Sequence, residues 1–89
     1  MNPLRRLWRY LNPRWRMITA ADILHLKVGE KIRVIRTGGG FHGYWFATVN
    51  AKPRRVAGHT ELPVKYDDLN YERIHGRSIL ERVMVKEKL

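Results

Sequence analysis

Few residues of this 89-residue chain are spaced for catalysis. Ser78 is the only serine, with no histidine or acid placed to make it a nucleophile. His25, His42, His59 and His75 are scattered, without the His-Glu-x-x-His spacing or another metal-ligand pattern, and are expected at the surface. The triplet Gly38-Gly39-Gly40 is not followed by Gly-Lys-Ser/Thr and leads into a strand, so it does not read as a phosphate loop. Asp67 and Asp68 are adjacent, and adjacent strand residues point to opposite faces, which makes them a poor acid–base pair. The expectation is a non-enzyme without cofactor or metal.

Aromatic residues near acids offer a different chemistry. Phe41, Tyr44, Trp45, Phe46, Tyr66 and Tyr71 cluster with Asp67 and Asp68 between the last two. Trp45 and Phe46 are neighbours on a strand and cannot both face the core. With Phe46 packed inward against Ile32 or Val34, Trp45 is left at the rim beside the turn that holds Phe41. Tyr66 then ends the third strand and Tyr71 opens the loop after it. Aromatic faces plus a carboxylate at one end of a barrel would suit a methylated ammonium, since each well-placed ring attracts the cation by up to ~2 kcal/mol. The alternative is that these rings are the lid of the core.

The charge points to a partner. Eighteen Lys+Arg against eight Asp+Glu give a formal net charge of +10, which favours DNA, RNA, an acidic protein surface or anionic lipid. The absence of cysteine excludes disulfides and thiolate metal sites, and no apolar run approaches the ~18 residues of a membrane span.

The cations are concentrated in two stretches. Residues 1–18 hold Arg5, Arg6, Arg9, Arg14 and Arg16 and no acid, and Leu4, Leu7, Trp8 and Leu11 fall on one helical stripe. Asn2-Pro3 starts that helix and Pro13 stops it. Such a basic amphipathic arm would dock on the barrel or a partner, act as an organelle transit segment, or lie on an anionic membrane. The second stretch, Ala51–Thr60, brings Lys52, Arg54 and Arg55 together in a hairpin loop. The eight cations Arg5, Arg6, Arg9, Arg14, Arg16, Lys52, Arg54 and Arg55 are the expected phosphate contacts.

Residues 19–89 must position these groups. Thr19 and Asp22 form a capping-box pair that opens a helix from Ala20 to about Leu26. From Lys27 the period changes to two. Lys31–Arg36 alternates, with Ile32 and Val34 on one face, and Tyr44–Asn50, Glu61–Leu69 and Ser78–Val85 follow as strands, with Asn70–Arg77 as a loop. Short strands at steady spacing predict an all-β fold, a small SH3/Tudor-like barrel of four to five antiparallel strands with a short N-terminal helical basic arm.

Gly29–Val34, Gly40–Phe46, Val64–Leu69 and Leu80–Val83 together resemble the plant Agenet domain, a Tudor-like group of chromatin readers. The pattern Gly-Phe-x-Gly-x-Trp followed by Tyr or Phe, then Val-x-Tyr-x-Asp-Leu, then Glu-x-Val, carries the likeness over roughly residues 27–89. The resemblance implies a methyl-lysine pocket at Phe41, Trp45, Tyr66, Asp68 and Tyr71, a histone tail as partner and a nuclear location. Lys31–Arg36, Tyr44-Trp45 and Tyr66–Tyr71 are also similar to the SH3-like extrinsic subunit of photosystem I. The functional expectation is therefore a non-catalytic recognition module for methylated lysine or arginine. A basic nucleic-acid-binding or ribonucleoprotein subunit, or a docking subunit of an organelle complex, is the alternative.

Overall fold

The computed structural model describes Leu4 and residues 14–38 and 41–87, with Phe41 and Gly38 described by their backbone alone. The helical arm expected in residues 1–18 falls, up to residue 13, outside the described residues except for Leu4. Among the described residues the elements are β1 (Trp15–Met17), α1 (Ala20–Leu24), β2 (Lys31–Gly38), β3 (Phe41–Val49), β4 (Arg54–Val56), β5 (His59–Tyr66), β6 (Tyr71–His75), α2 (Arg77–Arg82) and β7 (Val83–Lys86). The strands form one antiparallel sheet in the order β1-β7-β2-β3-β5-β4, with β6 also paired to β5, curled into a half-barrel. This is the small all-β barrel that the alternating strands imply.

Several boundaries differ from expectation, for local reasons. Trp15–Met17 belongs to the sheet, pairing with Met84–Lys86, so the barrel begins inside the stretch read as the arm. The loop Ala51–Thr60 contains β4, joined to β5 by Ala57 and Gly58, both at positive φ (50° and 84°). Positive φ at both central residues is the type I′ hairpin geometry. The stretch Asn70–Arg77 contains β6, and Ser78–Val85 is not one strand. Its first part, Arg77–Arg82, is helical and places Ile79 in the core, and only Val83–Lys86 is extended. The capping box forms as expected: the Asp22 amide donates to Oγ1 of Thr19 and the Thr19 amide to the Asp22 carboxylate.

The buried apolar residues alternate along β2, β3, β5 and β7. Ile32 and Val34, Ala47 and Val49, Leu62, Val64 and Tyr66, Ile74, and Val83 and Val85 are buried together with Ile18, Leu26 and Ile79. Residues of the opposite parity form the outer surface of the curled sheet. No helix among the described residues is long and apolar enough to cross a membrane.

Candidate functional site

Once Ile32 and Val34 are buried, the alternation of β2 fixes two arginines on opposite faces. Arg36 shares their inward parity, and Arg33 faces out. The register of the β2–β3 hairpin then decides which ring accompanies each: Val34 pairs with Trp45, and Arg33 with Phe46. Cross-strand partners share a face. Trp45 accordingly packs against the core, and Phe46 is 46% exposed on the outside. This reverses the expected placement of Phe46 inside and Trp45 at the rim. The signal was present in β3 itself, where apolar Ala47 and Val49 share parity with Trp45, and Thr48 shares it with Phe46.

The inner cluster contains three of the five residues expected to form a cation pocket, and it is filled by the chain's own cation. The Arg36 guanidinium lies 4.1 Å from the centre of the Tyr66 ring and 4.6 Å from that of Trp45, and pairs with the Asp68 carboxylate at 3.0 Å. Opposite it on β3 stands Gly43, with no side chain to compete for the space. The phenol of Tyr66, 2% exposed, donates to Glu72, which is held by Arg82 at 2.6 Å, while Arg82 Nε donates to the Ile35 carbonyl at 2.9 Å. Burial, followed by the bond to Glu72, pushes the Tyr66 hydroxyl well above the usual phenol range. Arg36 holds the Asp68 carboxyl below its ordinary value, and Arg82 does the same to Glu72.

Of the other two expected pocket residues, Tyr71 does not join this cluster. The Phe41 side chain lies outside the described residues, and its backbone pairs with Gly38. Tyr71 starts β6 on the outer surface, 64% exposed, with Lys65 Nζ 5.4 Å from its ring centre. Asp67 and Asp68 sit in a turn, where Asp67 pairs with Lys31 at 2.9 Å.

The outer cluster is built around Arg33. Its guanidinium lies 5.0 Å from the Tyr44 ring centre, 5.3 Å from Phe46 and 5.7 Å from Trp15. Trp15 and Phe46 meet edge to face at 5.9 Å, and Lys86 Nζ approaches the far ring, Trp15, at 5.7 Å. Four described arginines are half-buried: Arg16, Arg33, Arg36 and Arg82. Three of them hold a carboxylate, on Asp22, Asp68 and Glu72. Arg33 has no carboxylate partner among the described residues, and its buried Nε has no hydrogen-bond acceptor there. A ring quadrupole attracts the cation without neutralising it. Tyr44 is 52% exposed, so this face offers solvent a positive charge framed by aromatic surface.

The remaining expected phosphate contacts are divided. Arg5, Arg6 and Arg9 lie outside the described residues. Arg14, Lys52 and Arg55 are exposed, with Arg55 donating to the Gly58 carbonyl at 3.2 Å. Arg16 is bound through both terminal nitrogens to Asp22 at 2.6 and 2.8 Å, which together with the Thr19 amide drives that carboxyl far below its usual value. Arg54 pairs with buried Glu61 at 3.1 Å. Sequence reasoning missed Trp15, Arg33 and Lys86, although the alternation of Lys31–Arg36 already set Arg33 opposite the core. All four histidines are exposed, as expected, and His75 bonds Glu61 at 3.1 Å. No protein-family model, curated protein or solved structure matches this chain, so the likeness to Agenet domains rests on the quoted residues alone.

Proposed function

We propose that this chain is a non-catalytic module that binds single-stranded nucleic acid on the outer face formed by β1, β7, β2 and β3. The observation that carries the reading is Arg33, a half-buried guanidinium framed by Trp15, Tyr44 and Phe46 and without an acid among the described residues. Exposed rings stack on bases of any sequence, and uncompensated cations beside them take the phosphates. The net charge of +10 adds long-range attraction for a polyanion.

The methyl-ammonium reading keeps one supporting observation, the convergence of Trp45, Tyr66 and Asp68. It requires an incoming cation to evict Arg36 from between the two rings and from its carboxylate. At the outer face, around Trp15, Tyr44 and Phe46, a base and its phosphate meet no ion pair of Arg33 among the described residues that must first be broken, which favours the nucleic-acid reading.

The test is fluorescence anisotropy with a labelled oligouridylate across a salt series. Binding should weaken with a log–log slope of about −0.7 per phosphate engaged. Phe46→Ala should lower affinity about tenfold or more, as expected for loss of one stacked base, with an unchanged melting curve. Unaltered binding by Phe46→Ala would contradict the proposal. Equally tight binding of polyglutamate would point to an acidic protein surface instead.

A further inference from the structure

The outer face does not end at β3. Because β2, β3, β5 and β6 are paired in series, the register sets Lys31 beside Thr48, Thr48 beside Lys65, and Lys65 beside Tyr71. This row crosses four strands on the same outer face as Arg33 and Phe46, two residues further along β2 and β3. Lys31 is neutralised by Asp67, and Lys65 has no carboxylate partner among the described residues.

At the end of the row lies a cleft of about 330 Å³, lined by Tyr71, Asn50, Arg54, Pro63 and Arg73 among others. That volume is at the small end of ligand pockets, suited to a single flat group. Tyr71 offers one ring face, with 64% of its surface exposed. The Asn50 amide can both donate to and accept from a base edge. Arg54 and Arg73 share one carboxylate, Glu61, at 3.1 and 3.9 Å, so the pair keeps excess positive charge.

Resting on the nucleic-acid reading above, we infer that the cleft beside Tyr71 is a second base-binding subsite. A single strand lying over Phe46 continues across Lys65 and places a later base on Tyr71. Two strand spacings of ~4.8 Å and a two-residue offset along a strand separate the two rings by ~12 Å in the sheet. The occupied length is then about three to four nucleotides, near the lower end of the site sizes known for small nucleic-acid-binding barrels. Lys65 neutralises a phosphate between the two bases.

The experiment compares a labelled uridine dinucleotide, too short to span both rings, with an octanucleotide on the full chain. Tyr71→Ala should lower affinity for the octanucleotide about tenfold and leave that for the dinucleotide unchanged, whereas Phe46→Ala should weaken both. Lys65→Gln should reduce the salt slope for the octanucleotide by about 0.7. Loss with Phe46→Ala alone, and an octanucleotide affinity untouched by Tyr71→Ala, would overturn the second subsite while leaving the first reading standing. If neither variant weakens binding, both fail. A melting curve for each variant shows that the comparison is made on folded protein, and Lys65→Gln gives an independent reading that removes no ring.

Discussion

Arg33 and Arg36 stand on the same strand, and both rest against aromatic rings, but they meet opposite electrostatic ends. Arg36 lies on the inward face between Trp45 and Tyr66, where Asp68 cancels its charge and Glu72 and Arg82 close the neighbouring surface. Arg33 lies on the outward face among Trp15, Tyr44 and Phe46, where no described acid answers it. Rings around a cation are therefore not a sufficient sign of a binding site. Whether a carboxylate completes the set decides between a structural plug and an unsatisfied charge open to an outside anion.

The largest difference should appear in stability. Tyr66 is buried among core residues, and Tyr66→Ala should cost about 3–5 kcal/mol in denaturant unfolding, the range for losing a large core ring. Phe46→Ala, on the exposed counterpart, should cost less than about 1 kcal/mol. Equal costs would erase the distinction between the two faces.

A smaller effect should come from acid. Glu72 and Asp68 have folded-state pKa values lowered from ordinary values of 4.5 and 3.8, by Arg82 and Arg36 respectively. The unfolded chain then binds protons before the folded one does. Their stabilisation is complete above about pH 4.5 and is lost as pH falls through the lower folded values. Thermal melts should show stability declining as pH falls below about 5, with a shallower decline in Glu72→Gln. A flat profile for the wild type would contradict the ion pairs of the inner cluster. Arg33 and its rings include no carboxylate, so nucleic-acid affinity of the folded protein should not follow that titration.

The alternation of Lys31–Arg36 made β2 legible in the sequence, and with it the burial of Ile32 and Val34. The capping box at Thr19 and Asp22 was equally legible, because it is a contact between residues close in the chain. What escaped depends on pairing between distant segments. Trp15 gains its place from Lys86 at the other end of the chain, and no local pattern announces that register. The helix Arg77–Arg82 hides within a run of apolar residues that suits a strand equally well, and burial of Ile79 settles it. Trp45, Tyr66 and Asp68 do meet, but around Arg36 and with Trp45 packed against the core, not at the rim. Their occupant was not foreseen, because Arg36 reaches them by the same parity that buries Val34. The interior position belongs to Trp45 and not Phe46 because the small apolar residues Ala47 and Val49 share the parity of Trp45.

On the proposed function, Arg33 binds nucleic acid and Arg36 serves the fold. Arg33→Met and Arg36→Met should be compared for oligouridylate affinity by anisotropy and for stability by denaturant unfolding. Arg33→Met should weaken binding about tenfold at little cost in stability. Arg36→Met should lower stability measurably, by removing the cation that lies between Trp45 and Tyr66, and keep its affinity once folded. Full affinity in Arg33→Met, or an equal loss in both variants, would contradict the proposed function.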